Sequence, residues 1–179
     1  EIGRGRVISK KYLEENAGIY PVYSSQTVNN GEFGRIKTYD FDGEYVTWTT
    51  DGENAGTCFY RNEKFNCTNV CGTLKAKNNK ILMPYLSDIL NMVTDDYVVK
   101  VANPKLMNNV MSDIKIPLPD LDVQQKIVNE CSALNTEKLN AINIIQKAND
   151  IIENGYQDAF TKAAKKFKLG NTEDFEAFI

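Results

Sequence analysis

Histidine is absent from this chain, and that one absence closes off much familiar chemistry. Ser-His-Asp and Cys-His nucleophilic machinery, histidine general bases and histidine-ligated metals are all excluded. A Ser-Lys or carboxylate mechanism stays open, but no spacing points to one. Cysteine is sparse: Cys58, Cys67, Cys71 and Cys131. Cys67 and Cys71 stand at a C-x3-C spacing rather than C-x2-C, so the four are read as buried free thiols of a cytoplasmic protein, with no metal. No run approaches the ~18 apolar residues of a membrane span. A cationic excess is also missing. The net charge is −3, and acidic and basic residues nearly balance on either side of residue 121. Any polyanion would therefore have to be met by a local patch. The opening Glu1-Ile2-Gly3-Arg4-Gly5-Arg6 has neither Met nor an apolar segment, and is expected to be a mature or trimmed fragment rather than a natural beginning.

What remains is a chain of two textures. At 42% hydrophobic over 179 residues it can bury one good core with an appendage. Residues 18–27 run from a glycine turn through a short strand into a polar loop, and Asn29-Asn30-Gly31 is a strong turn signal. Asp42-Gly43 predicts a further turn. Residues 45–50 (YVTWTT) and 57–61 predict strands, separated by the polar loop 51–56. Asn62-Glu63 predicts another turn and residues 69–76 another strand. The spacing indicates a compact antiparallel or barrel-like sheet. A helix is expected from Met83-Pro84, a strand over Tyr97–Val101, a short helix capped by Asn103 and Pro104, and a last strand over Ile114–Ile116.

Residues 114–127 (IKIPLPDLDVQQKI) join the two textures. Pro117 and Pro119 forbid regular helix and favour an extended path. Asp122 with Gln125 has capping-box spacing for a new helix. From there to about Lys166 the pattern is helical, reaching ~65 Å if unbroken. One heptad frame places Val128, Asn135, Ile142, Asn149 and Tyr156 at a, and Cys131, Lys138, Ile145 and Ile152 at d. The competing reading is an amphipathic helix folded back on the head, with a bend at Gly155. The expected organisation is an α+β chain: a compact strand-rich head over 1–121, a long coiled-coil-type helix over 122–168 and a tail over 169–179.

In order and spacing these segments resemble the target recognition domain of Type I restriction-modification specificity subunits. The likeness runs from Gly18 to about Phe160. It takes in Tyr20-Pro21-Val22-Tyr23-Ser24-Ser25-Gln26, residues 45–61, residues 65–77, the helix near Tyr85, and Ile116-Pro117-Leu118-Pro119-x-Leu121 with Gln124-Gln125. The resemblance implies a non-catalytic head that reads one half of a bipartite site in double-stranded DNA. It implies a helix that pairs with a second recognition half or a second copy. It also implies a separate adenine methyltransferase (modification) subunit carrying S-adenosylmethionine, with the restriction subunit as a further partner. In agreement, Asn103-Pro104-Lys105-Leu106 lacks the second proline and the aromatic of the Asn/Asp-Pro-Pro-Tyr/Phe motif. Ile8 likewise breaks any G-x-G-x-x-G reading of Gly3 and Gly5. The same domain type closes fused adenine methyltransferase–endonucleases. A half-size subunit, a fragment of a two-domain subunit and a fused enzyme therefore all stay open as parents. A coiled-coil scaffold with a protein-binding head is the reading from another class.

Base reading needs forked hydrogen-bonding side chains on loops: Arg for guanine, Asn or Gln for adenine, a carboxylate for the cytosine amino group. The candidates are Ser24, Ser25, Gln26, Asn29 and Asn30, with Arg35 and Lys37 nearby; the loop residues Thr49, Thr50, Asp51 and Asn54; and Lys105 and Asn108. Relatives often carry a basic Gly-Lys-Gly character where this chain has Asp51 and Glu53. A structural turn that satisfies its own backbone is the competing reading for both loops. Arg4, Arg6, Lys10, Lys11, Lys75, Lys77 and Lys80 could reach phosphates, and Trp48 is expected in the core. Replacing Pro117 and Pro119 with glycine is expected to leave the head folded, with an unchanged circular-dichroism spectrum, while blurring site spacing or partner assembly. An unfolded head would overturn the reading of 114–127 as a connector.

Overall fold

The computed structural model describes residues 1–166; the expected helix end at 168 and the tail at 169–179 lie outside them. Six strands form one mixed sheet: β1 (Ile2–Arg4), β2 (Ala17–Tyr23), β3 (Glu32–Ile36), β4 (Phe41–Thr49), β5 (Cys58–Cys67) and β6 (Cys71–Leu74). Their order is β1-β6-β4-β5-β2-β3. All pairs are antiparallel except β2 with β5. Four α-helices are described, α1 (Lys10–Glu15), α2 (Met83–Val93), α3 (Asn108–Asp113) and α4 (Leu121–Lys166), with short 3-10 turns at Val28–Gly31 and Thr94–Tyr97. The strand-rich head and the long helix are as expected, and the helix runs through Gly155 without a break. No described helix is long and apolar enough to cross a membrane.

The sheet curls strongly, and the register shows why. Phe41 at one end of β4 pairs with Phe65, and Thr49 at the other end pairs with Cys71. Those ends lie ~26 Å apart along an extended strand. Yet Cys67 and Cys71, separated only by residues 68–70, bring their Sγ atoms to 3.4 Å. The strands on the two flanks of β4 must therefore fold towards each other. The chain after β1 closes the seam, with Arg6 bridging Thr68 in parallel.

Side-chain patterning follows from this curl. Val46, Trp48 and Cys58 face α2 and the 106–116 segment, where Met83, Leu90, Leu106 and Met111 complete a core. Trp48 is fully buried and its Nε1 donates to the Leu106 carbonyl at 2.9 Å. Gly72 lies opposite Trp48, where a Cβ would sit 2.3 Å from the indole ring; the glycine inside β6 is required by that ring. A second cluster joins Tyr23, Phe65, Cys67 and Cys71, and a third joins Ile8, Val22 and Ile36. Burial pushes the Cys58 thiol up to about 12 and raises Cys67, so both stay protonated at neutral pH.

Several local expectations yield to tertiary pairing. Asp42-Gly43 and Asn62-Glu63 are not turns: both lie inside one long β4–β5 hairpin, with Asp42 opposite Lys64, Gly43 opposite Glu63 and Asn62 opposite Glu44. Tyr97–Val101 forms no strand. Tyr97 ends a 3-10 turn and Val99 makes only a bridge to Lys105. Asn103 and Pro104 start no helix, because the Lys105 and Leu106 amides are taken by the carbonyls of Val99 and Thr50. α3 begins later, at Asn108. Ile114–Ile116 is not a strand; Ile114 and Ile116 pack against the Trp48 core. α1, capped by the Ser9 hydroxyl accepting from the Tyr12 amide at 3.1 Å, was not foreseen, nor was β1.

The start of α4 also differs. The Asp120 carbonyl accepts from the Val123 and Gln124 amides, so the helix opens before Asp122 and the Asp122–Gln125 capping box does not form. Gln125 is exposed and donates to Asn129. Gln124 is fully buried instead. Its Oε1 accepts from the Leu82 amide at 2.9 Å, and its Nε2 donates to the carbonyls of Lys80 at 2.9 Å and Pro119 at 2.8 Å. The Tyr85 hydroxyl adds a bond to the Pro117 carbonyl at 3.0 Å. One compact unit accordingly runs from Glu1 to Cys131, past the expected boundary at 121, and a second begins at Ser132. Gln124→Leu would leave these backbone groups without partners and is expected to cost ~2–4 kcal/mol in urea unfolding. Gln125→Ala should change stability by less than ~0.5 kcal/mol.

Candidate nucleic-acid interface

Three stretches distant in sequence meet beside the seam of the curled sheet. The first follows β2. The Ser24 amide donates to the Gly31 carbonyl at 3.1 Å, closing a loop whose Gln26 side-chain amide donates to the Glu32 carbonyl. At its tip Asn29 and Asn30 are exposed and left-handed, with φ of 49° and 53°, and Gly31 follows at 80°. The Ser24 hydroxyl accepts from Thr68 at 2.9 Å.

The second stretch joins β4 to β5. Thr49 and Thr50 are 1% and 0% exposed, so neither side chain reaches the surface. Both hydroxyls are spent inside the loop: Thr49 donates to the Asn54 carbonyl, and Thr50 donates to Asp51 Oδ2 at 2.6 Å. They shape the loop rather than present themselves, while Asn54 and Glu53 are exposed. Gly52, at φ 99°, has open space around it.

The third stretch leads into α3 and includes its first residue, Asn108. Lys105 Nζ lies 3.2 Å from Asp51 Oδ1, and the Gly52 amide donates to the Pro104 carbonyl at 3.0 Å. Asn108 donates to the Gly3 carbonyl at 3.2 Å. Its Oδ1 is buried without a partner, as is Nε of Arg4, whose Nη2 reaches Met107 Sδ.

Asp51 is the junction. The Ser25 hydroxyl donates to the Asp51 carbonyl at 2.8 Å and accepts from its amide at 3.1 Å, tying the first loop to the second. The Asp51 carboxylate ties the second to the third. Partial burial pushes its pKa up, but the Thr50 hydroxyl, the Lys105 ammonium and the nearby Arg4 more than offset this and hold it below its ordinary value.

The expected residues divide accordingly. Ser24, Ser25, Gln26, Asn29, Asn30, Asp51, Asn54, Lys105 and Asn108 lie on the three stretches, which Ser25, Asp51 and Lys105 tie together. Arg35 and Lys37 lie at and beyond the far end of β3 from the loop. Arg35 is held by both Glu32 oxygens at 2.8 and 2.7 Å and also donates to the Ile19 carbonyl. Arg6 is paired with Asp40 at 2.8 Å. Sequence reading missed Arg61, which is 2% exposed and donates through Nη2 to the Asn30 carbonyl at 2.7 Å. Its signal was an arginine directly after two aromatics, Phe59-Tyr60, in a strand. Burial lowers its pKa from the usual arginine value.

Along α4, Leu134, Ile142, Ile145, Ile152 and Tyr156 are 49–73% exposed. Among the expected a and d positions, Asn135 and Asn149 are also exposed, and Val128 and Cys131 are half-buried.

A family model described as the Type I restriction modification DNA specificity domain matches residues 1–153. The specificity subunit of the Type I restriction enzyme MpnII from Mycoplasma pneumoniae is 47% identical over 154 residues, covering 86% of this chain and 43% of that protein. A second Mycoplasma pneumoniae protein, named as a candidate type I specificity subunit, is 47% identical over 154 residues, covering 86% and 57%. This chain thus spans about half the length of these curated relatives. The crystal structure of a Type I restriction-modification S subunit from M. genitalium superposes with a TM-score of 0.64 at 14% identity, over 76% of this chain and 36% of that one, showing a shared fold.

Because the Asp51 pKa is depressed on folding, its stabilising contribution is present at neutral pH and lost as pH falls through the folded value, below the ordinary 3.8. Asp51→Asn is expected to flatten this acid limb in urea midpoints measured against pH. Parallel curves for the two proteins would remove Asp51 as the junction charge.

Proposed function

The chain belongs to the Type I restriction-modification DNA specificity family, and from that membership we propose that it reads one half of a bipartite site in double-stranded DNA and directs a separate adenine methyltransferase subunit to it. One observation carries the reading: the Ser25–Asp51–Lys105 junction gathers loops from three parts of the chain into one polar surface. A groove-reading surface needs that convergence, because sequence is specified by base-edge contacts while phosphate contacts set position.

On this reading Asn29, Asn30 and Asn54 supply amides for base edges, with Ser24 and Gln26 holding their loop. Asp51 neutralises Lys105 in the free protein. On DNA, Lys105 turns to a phosphate and the freed carboxylate can accept from a cytosine amino group. Arg35 would need release from Glu32 before joining them, and Lys37 contributes charge at a distance. Asn108 and the threonines Thr49 and Thr50 act through backbone placement.

The chain itself binds and does no chemistry. The methyltransferase partner holds S-adenosylmethionine and extrudes the adenine, and a restriction subunit joins the same assembly. The α4 face of Val128, Cys131, Asn135, Ile142, Ile145, Asn149, Ile152 and Tyr156 pairs with a second recognition half or a second copy. Its two asparagines set register at some cost in stability.

Selection from randomised duplexes, with the chain assembled on its modification subunit, tests this. A short preferred block, bound more weakly as salt rises, is expected. Equal recovery of all sequences would overturn it.

A further inference from the structure

Arg61 is a charged residue spent in an unusual place. It sits within β5, 2% exposed, and no ion pair among the described residues includes it. The nearby Glu63 accepts from the Tyr23 hydroxyl at 2.6 Å instead. The guanidinium lies 3.5 Å from the Tyr23 ring centroid and 4.7 Å from that of Phe59. Its Nε donates to Thr47 Oγ1 at 3.2 Å, and its Nη2 to the Asn30 carbonyl at 2.7 Å. Burying a cation without a carboxylate is expensive. What it secures here is the main chain of one exposed turn.

That turn is itself out of the ordinary. Asn29 and Asn30 are the non-glycine residues with positive φ among those described, and they are consecutive. Gly31 completes a left-handed run, and a Cβ on it would come within 3.2 Å of Arg61 Nη2. The Asn29 and Asn30 side chains are exposed and make no hydrogen bond among the described residues, although a left-handed asparagine commonly satisfies itself locally. Two free amides on a strained, buttressed turn are suited to the donor–acceptor edge of adenine.

We propose that Arg61 is the positioning residue of the reading loop: it locks the left-handed Asn29-Asn30-Gly31 turn so that the two side-chain amides meet base edges. This rests on the DNA-reading function proposed above. Lysine cannot replace it. A single ammonium lacks the planar face to stack between Tyr23 and Phe59 and cannot fork to Thr47 and Asn30 together.

The test uses the chain assembled on its modification subunit, with the preferred duplex from randomised selection and its singly changed versions as probes. Asn29→Gly and Asn30→Gly keep the left-handed backbone and remove an amide each. Both should melt as the parent does and lose about tenfold or more of selectivity at one or two adjacent base pairs. Arg61→Lys keeps the charge, so its salt dependence should match the parent while selectivity falls at those same positions. Unchanged selectivity in the glycine variants, or in a folded Arg61→Lys protein, overturns the proposal. Failure of Arg61→Lys to fold also counts against it, making Arg61 a core residue. If the parent itself shows no preferred duplex, the DNA-reading function fails first and this inference with it.

Discussion

Residues 68–70 carry the chain from the end of β5 to the start of β6, and almost everything else in the head answers to the shortness of that link. It obliges the flanks of β4 to approach each other, so the backbones at the seam run close together. A Cβ on Gly5 would sit 2.0 Å from the Cys67 carbonyl oxygen, and the Cys67 and Cys71 thiols meet there at 3.4 Å. The curl also sets the end of β2 beside the end of β4. Loops that a flat sheet would hold far apart become neighbours, with Ser25 spanning them.

Charge is handled differently in the two parts of the surface region. Around Asp51 it is paired and half-exposed, so it can be exchanged for an incoming partner at modest cost. Around Arg61 it is buried and stacked, so it is fixed. One part is suited to adjusting on contact and the other to holding a shape before contact.

How much of this was readable beforehand follows from what kind of signal each part carries. The YVTWTT strand, the Met83-Pro84 helix start and the long α4 pattern are local, periodic signals, and they appear where they were expected. Asp42-Gly43 and Asn62-Glu63 are local turn signals that lose to pairing across the β4–β5 ladder, which no window of sequence displays. The loops 24–30 and 49–54 were legible as polar loops. Their junction through Ser25 and Asp51 depends on the sheet's curl and was not. Thr49 and Thr50 look like presented hydroxyls in sequence, and only burial shows them turned inward. Gln124 and Gln125 are the sharpest case: adjacent and chemically identical, they have opposite environments because the first turn of α4 points one of them at the Leu82 amide and the other at solvent.

The Gln124 clamp has a consequence for how such chains can be cut and recombined. The first turns of α4 belong by their hydrogen bonds to the head, not to the rod they begin. A cut placed after Cys131 keeps this clamp whole, whereas one made at the proline connector would sever the head from the glutamine that closes it. The folding unit is therefore a head that carries its own stub of helix.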